Sequence, residues 1–551
     1  MNPDGFTSIL TIDWRKYEFK KLFCITLANL KEKDMKKALK IILPIVAVLL
    51  ATVIIVFSVF FEKIFWNSES FIKKSQTADL TITIDENEKG RVLDGFGASA
   101  CWWSQIAGKS ENGEEIIKLL YSKDGLGLNI YRYNIGGGSA DINSEIKDPW
   151  RVTESFYVLN EETGEYEYDF TRDANAQKML DLALSYGCVD TVVLFANSPH
   201  YSMTLNEDTY GNKNWWVSNL PKENYEAYAE YFCTITEYFI KKGVPVKYIS
   251  PINEPNWSWG AERQHQEGCF YNSEDIYGVY RAFVKEIKER NLDVKLSGPE
   301  SGEIGFRLYE WFEYLYNDAE IRPYLANLSY HSYWTDDNLQ NKIGLGNWIN
   351  EKTPDIAIEM SEWCHLPCNA PIDSIDGALL QARIMANDLN FSNINSWTAW
   401  VGVNGIGIGD DGKKYSDGLL AGNADLSEIE IAMRYYAVAH FSKFIPIGST
   451  KIQSEKNIND VTMVEETNEN GETNITTMKY IVNFVSYLTP DGKIVTVVVN
   501  EGDERELKLK VGRENMTVYT TTQEKQMEET YKGAKTEITL PQKSITTIVF
   551  E

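Results

Sequence analysis

Between residues 94 and 404 the chain alternates short apolar runs of β-type residues with longer segments whose apolar positions recur at helical spacing. The strand-like runs are residues 94–99, 128–134, 191–196, 246–252, 295–297, 328–333, 356–361 and 396–401. Amphipathic stretches such as 171–186, 222–242, 273–290 and 375–387 lie between them. A strand, a helix and a further strand make a right-handed crossover and a parallel pair. Eight such units in one run predict an α/β fold of the (β/α)8 TIM-barrel kind rather than an open doubly wound sheet. A dinucleotide-binding sheet also wants G-x-G-x-x-G after its first strand, and Gly95-Phe96-Gly97-Ala98 does not supply it.

From about Lys451 the pattern changes. Residues 480–488, 494–499, 507–511 and 545–550 are β-rich and separated by turn signals such as Pro490-Asp491-Gly492, while Asn468-Glu469-Asn470-Gly471 reads as a loop or hairpin. These features predict an all-β side domain over 441–551. The alternating run 80–84 can pair with it, so strands from 80–93 are expected to join that domain and leave 94–440 as the barrel.

The N-terminal 79 residues carry a different signal. Lys31, Lys33, Lys36, Lys37 and Lys40 precede an uncharged apolar run, 41–61. A helix of that length crosses a bilayer core of ~30 Å. The lysines favour the cytoplasmic side, which turns everything after Phe61 outward. A cleaved signal peptide has a shorter apolar core, ~7–15 residues, followed by small residues. Here the run ends Val59-Phe60-Phe61-Glu62. The expectation is a cytoplasmic segment 1–40, a single-pass signal-anchor 41–61 and a linker 62–79, with a secreted product as the alternative. Met35-Lys36-Lys37 already opens a complete export signal, so Met35 is a second candidate start.

Composition narrows the partners. The 551 residues carry a net charge of −26, and 13% are aromatic, including 15 Trp and 31 Tyr. So acidic a surface repels nucleic acid and anionic headgroups and favours neutral partners. Seven cysteines in a chain of this length do not make a disulfide scaffold. Cys364 and Cys368 are close enough in sequence to pair, and the sequence leaves that open.

In a barrel of this kind, chemistry sits at the C-terminal ends of the strands. Those ends supply Arg132 and Asn134, Asn197, Asn253 and Glu254, Glu300, His331 and Tyr333, Glu362 and Trp363, and Trp400, in strand order from the second to the eighth. Glu254 and Glu362, on strands four and seven, face each other across the mouth. Glycoside cleavage needs such a pair, held about 5–5.5 Å apart for retention and about 6.5–9.5 Å apart for inversion. The acid must keep its proton near neutral pH, which a second carboxylate and burial among Trp257 and Trp363 favour. Either glutamate alone could be a rim salt-bridge residue; Asn-Glu-Pro together with Ser-Glu-Trp argues otherwise. Glu359 has opposite parity to Glu362 and is expected to point away from the barrel axis. Glu300 reads as a substrate contact or a rim ion pair. Gly136-Gly137-Gly138 lacks the G-K-[ST] ending of a phosphate loop, so it reads as a loop allowing close substrate approach. Cys364, His365 and Cys368 lack the fourth ligand of a closed zinc site. No metal and no cofactor are expected.

Ile252-Asn253-Glu254-Pro255 with Ser361-Glu362-Trp363 resembles the clan A glycoside hydrolases. Asp94-Gly95-Phe96-Gly97-Ala98-Ser99, Ser297-Gly298-Pro299-Glu300, His331-Ser332-Tyr333-Trp334 and Phe444-Ile445-Pro446-Ile447-Gly448-Ser449 resemble glycoside hydrolase family 30 over roughly 80–551. The resemblance implies a barrel with a β-sandwich-like side domain, Glu254 as acid/base and Glu362 as nucleophile. It also implies that Arg132 and Tyr333 hold the nucleophile, Asn253 bonds the sugar 2-hydroxyl and Trp400 floors the cleavage subsite. These roles suit a forked cation and an amide that both donates and accepts. The family spans endo-acting enzymes on β-1,6-galactan, β-1,6-glucan and glucuronoxylan, and exo-acting β-glycosidases. The loops at 197–203, 253–259 and 266–271 are most similar to the galactanase-type branch. The rival from another class, an inactive carbohydrate-binding surface protein, would lack one of the glutamates, and both are present.

Overall fold

The computed structural model describes residues 79–260, 265–467 and 473–551, and within them eight parallel strands close into a barrel. Around the ring run Gly95–Ser99, Ile130–Asn134, Thr191–Phe195, Val246–Ser250, a fifth strand, Asn327–His331, Ala357–Trp363 and Ser396–Ala399, the last pairing with the first. The fifth strand is broken. Lys295–Leu296 pairs with the fourth strand, and Pro299–Ser301 with the sixth. Gly298 lies between, at φ +139°, where a Cβ would stand 1.6 Å from the Tyr280 hydroxyl oxygen. Only glycine fits.

The helices begin where the sequence offers caps. Asn272 accepts from the Asp275 amide, and the Asp275 carboxylate accepts from the Asn272 amide, before Ser273–Arg290. Ser374 caps Ile375–Asn387. Such caps contribute roughly 0.5–2 kcal/mol each and fix where the chain turns back onto the barrel.

The side domain is sewn from both ends of the described chain. Leu80–Val92 lies between Thr450–Lys456, antiparallel to it, and Arg505–Lys510, parallel to it. The central strand Ile494–Asn500 is buried at every position. Val495, Val497 and Val499 join the barrel's core, while Ile494 and Val498 join Leu80, Ile82 and Ile548 inside the side domain. Its two faces therefore meet two different partners, which is why this strand reads as a continuous apolar run. His440, on the helix Met433–Ser442, pins the contact: its ring nitrogens lie 2.7 Å from the Thr547 and Thr521 hydroxyls.

Two expectations need correction. The seventh strand carries one residue more than either neighbour at Ser361: Tyr330 and His331 pair with Met360 and Glu362. This β-bulge resets the alternation. Glu359 consequently points inward, not away from the axis. It is buried at the strand-start end of the barrel, accepts from Asn327 Nδ2 at 3.1 Å, and lines a cavity of about 90 Å³ with Asp94, Thr191 and Lys247. Apart from the broken fifth strand, several strand ends also shift by one or two residues; the second strand starts at Ile130 rather than 128, and the fourth stops at Ser250 rather than 252. The segments 1–40, 41–61 and nearly all of 62–79 lie outside the described residues. Among the described residues no helix is long and apolar enough to cross a membrane.

Burial lowers the His440 pKa to about 3. The unfolded chain therefore binds a proton there from pH ~6.5 downward that the folded chain refuses, so stability falls as pH drops through that window. Equilibrium unfolding between about pH 4 and 7 is expected to show a shallower acid decline for His440→Gln than for the native chain. Equal slopes would contradict this.

Candidate active site

Arg132 is the centre of the barrel mouth. Its guanidinium is buried, with Cζ 3.5 Å from the Phe195 ring centroid. Nη1 donates to Glu362 Oε2 at 2.7 Å, and Nη2 to Glu300 Oε2 at 2.6 Å and to Asn253 Oδ1 at 2.9 Å. One forked cation thus joins the ends of strands two, four, five and seven.

His331, on strand six, is a second bridge. Nδ1 lies 3.0 Å from Glu254 Oε1 and Nε2 2.9 Å from Glu300 Oε2. Burial disfavours its charge, but Glu362, Glu254 and Glu300 outweigh burial and raise the pKa to about 9. The ring is an imidazolium at neutral pH and donates from both nitrogens. Glu300 is its counterpart: burial pushes that carboxyl up, yet Arg132 and His331 prevail and hold it down at about 2. Two cations, Arg132 and His331, thus face three carboxyls, Glu254, Glu300 and Glu362. Burial, with Glu254 and Glu300 nearby, raises Glu362 against the pull of His331 and Arg132. Glu362 has two short-range donors, Arg132 and the Tyr333 hydroxyl at 3.2 Å, and Glu254 has His331.

The two carboxyls each present an oxygen within 4.8 Å of the other and of a His331 nitrogen. That is compatible with the short spacing of retaining chemistry. These three residues are also the one metal-type grouping among the described residues. Both His331 ring nitrogens are engaged within the protein, with Glu254 and Glu300.

The remaining predicted residues divide into two sets. Asn253 has its carbonyl oxygen held by Arg132, which leaves its amide nitrogen as the end available to a hydroxyl. Asn197 donates to Asn134 Oδ1 at 3.2 Å and keeps its own oxygen unpartnered. Trp400 stands edge-on to Trp102, with centroids 5.2 Å apart. These residues border the mouth. Glu300, His331 and Trp363 are fully buried: Glu300 Oε2 meets Arg132, His331 and Ser361 while its Oε1 has no protein partner, the His331 ring meets Glu254 and Glu300, and Trp363 donates to Asp336. Glu300 thus makes an ion pair with Arg132, one of the two roles open to it from the sequence.

Sequence reasoning did not anticipate the Gly136–Gly138 loop's partner. Glu267 accepts from the Gly137 amide, the Ser139 amide and hydroxyl, and the Thr153 hydroxyl, clasping the loop after strand two to the loop after strand four. Its 128-residue separation from Ser139 gives no local signal. Cys364 and Cys368 are free thiols, directed at Asp417 and at the Ser416 carbonyl.

A closed eight-stranded barrel with two carboxyls at this spacing on strands four and seven defines a glycoside hydrolase. Residues 79–420 match O-Glycosyl hydrolase family 30 and residues 448–548 match the Glycosyl hydrolase family 30 beta sandwich domain: the chain belongs to glycosyl hydrolase family 30. An endo-beta-1,6-galactanase of Hypocrea rufa is 23% identical over 399 residues, 67% of this chain and 76% of that protein. Putative glucosylceramidase 1 of Caenorhabditis elegans is 23% identical over 444 residues, 77% of this chain and 76% of that one. A conserved exported protein from Bacteroides fragilis superposes with TM-score 0.71 at 24% identity, covering 85% of this chain and 100% of its own, a likeness of fold.

Removing Arg132 strands two buried carboxylates. Arg132→Met is expected to cost ~3–5 kcal/mol of unfolding free energy, and a denaturant titration showing a loss below about 1 kcal/mol would contradict the buried network. Glu300→Gln removes one of the charges that sustain the His331 imidazolium. An NMR titration of the His331 ring should then find its midpoint well below about 9.

Proposed function

We propose that the protein cleaves β-linked galactan with retention, Glu254 acting as acid/base and Glu362 as nucleophile, and that its preferred linkage is β-1,6 within the chain. The observation that carries the mechanism is the short Glu254–Glu362 spacing, with Arg132 held on Glu362 and His331 on Glu254. In the first step a Glu362 oxygen bonds to the anomeric carbon while the glycosidic bond breaks, and the leaving oxygen takes the proton from Glu254. In the second, water gives its proton to Glu254 and attacks the anomeric carbon, releasing Glu362. Arg132 and Tyr333 steady the Glu362 charge, and Asn253 donates to the sugar's 2-hydroxyl.

The galactan reading rests on the Hypocrea rufa relative and on the loop likeness at 197–203, 253–259 and 266–271. The net charge of −26 disfavours docking on an anionic lipid surface, which weighs against a membrane glycolipid as substrate. A panel of β-1,6-galactan, β-1,6-glucan, glucuronoxylan and glucosylceramide, with product analysis, should give fastest turnover and internal cleavage on β-1,6-galactan. Faster turnover of any other member would replace the substrate and leave the mechanism standing.

Glu362→Ala is expected to lose turnover by at least about 10⁴-fold, and azide should restore it on an activated β-glycoside, giving an α-glycosyl azide. Glu254→Ala should still be glycosylated by substrates with good leaving groups, with azide giving the β-glycosyl azide. The opposite pairing of azide products would exchange the two roles. Glu359→Gln, at the far end of the barrel, is the active control, and activity should survive a strong chelator.

We further propose that 41–61 anchors the enzyme with its barrel outside the cell, supported by the five lysines before that run. Cell fractionation with N-terminal sequencing should find it in the membrane. A soluble extracellular form beginning near Asn67 would favour secretion instead, and a cytosolic pool would exclude export.

A further inference from the structure

Two residues past Glu362, just beyond the seventh strand, alternation returns the chain to the inward face, and the residue there is Cys364. It is buried, and its Sγ lies 3.7 Å from the Tyr333 hydroxyl oxygen and 3.5 Å from Asp417 Oδ2. The Tyr333 hydroxyl is itself 3.2 Å from Glu362 Oε1. A line of side chains therefore runs from Asp417, on the loop after strand eight, through Cys364 and Tyr333 to Glu362. Both ends of the line are anchored. Asn404 Nδ2 donates to Asp417 Oδ1 at 2.5 Å, and the Cys368 thiol donates to the neighbouring Ser416 carbonyl at 3.2 Å. At the other end Arg132 holds Glu362 Oε2, and the Tyr333 ring stands edge-on to the His331 ring with centroids 5.9 Å apart.

Burial foremost, and neighbouring negative charge after it, raises both the Tyr333 hydroxyl and the Cys364 thiol well above their ordinary values. Each keeps its proton at neutral pH, so two protons lie between two carboxylates. A carboxylate is a far better acceptor than a thiol sulfur or a phenol oxygen. Both carboxylates are served only when the thiol donates to Asp417 and the hydroxyl donates to Glu362. Asp417 thus decides where the thiol proton points. The sulfur then turns only its weak acceptor side to Tyr333, and of the two contacts of that hydroxyl Glu362 is the strong one.

Resting on the reading of Glu362 as nucleophile, we propose that Cys364 and Asp417 are positioning residues that aim the Tyr333 hydroxyl at Glu362. They act through Tyr333 and not on the sugar. The hydroxyl they direct stabilises the charged form of Glu362, the form that attacks, so the pair sets both the pH at which the nucleophile becomes available and the rate at which it reacts.

The test is a double-mutant cycle read as kcat/KM against pH on an activated β-glycoside, since the acid limb of that profile reports the ionisation of the nucleophile in the free enzyme. Cys364→Ala is expected to lower kcat/KM at its optimum by roughly three- to tenfold, the reach of one neutral hydrogen bond. It should also move the acid limb to higher pH by about half a unit to one unit, because a donor lost from the charged form raises the pKa of the group. Asp417→Asn, on a half-buried residue, keeps the shape and weakens the acceptor, and should move the limb the same way by less. In a Tyr333→Phe background neither substitution should move the limb further, whereas a merely structural role would cost the same in both backgrounds. An acid limb left unmoved by either substitution, losses that simply add to those of Tyr333→Phe, or a Tyr333→Phe variant with the native profile overturns the positioning roles while the glycosidase reading stands. Failure of the native enzyme on every β-glycoside tried overturns both readings.

Discussion

The mouth of this barrel depends on one buried guanidinium. Arg132 reaches Glu362, Glu300 and Asn253 from a single fork, and so fixes the relative positions of four strand ends that local structure alone would leave to the loops. A buried charge network is rarely a net source of stability, because desolvation offsets most of the attraction. Its value lies in what it forbids. With Glu300 and Glu362 in place, releasing Arg132 from both would leave two buried carboxylates unpaired, so Glu362 is held in place near Glu254. The same network sets two cations, Arg132 and His331, against three carboxyls at the barrel mouth.

Two irregularities in the sheet make the network geometrically possible. The break at Gly298 lets one strand serve two neighbours and brings Glu300 under His331. The extra residue at Ser361 turns both Ser361 and Glu362 inward, Ser361 to Glu300 and Glu362 to Arg132. A regular strand would have offered one or the other. The Arg132–Glu300–Glu362 cluster is thus a product of backbone defects placed at the C-terminal ends of the strands.

Much of this was legible in the sequence. The barrel followed from eight apolar runs and the helical spacing between them, the side domain from its turn-punctuated strands, and Glu254 and Glu362 from their places at strand ends. The likeness to family 30 was legible in the same motifs. Where reading along the chain failed, it failed for a common reason. Glu359 was given the wrong face because alternation assumes no bulge, and nothing local to Met360-Ser361-Glu362 announces one. Polar and aromatic residues at strand ends, Glu300, His331 and Trp363 among them, look alike along the chain whether they face the cleft or lie beneath it. Only distances across the barrel separate the two. The Glu267 clasp on Gly137, Ser139 and Thr153 is a tertiary contact with no local pattern.

The account stands or falls on which oxygen bonds to the sugar. An activated 2-deoxy-2-fluoro-β-galactoside slows both steps but leaves formation of the glycosyl-enzyme faster than its hydrolysis, so the intermediate accumulates. Peptide mapping by mass spectrometry after incubation should find one sugar on the peptide carrying Glu362, with the ester at that residue and release on adding a sugar acceptor. A label on Glu254, or an active enzyme that accumulates no covalent sugar and yields the α-anomer first, would contradict it.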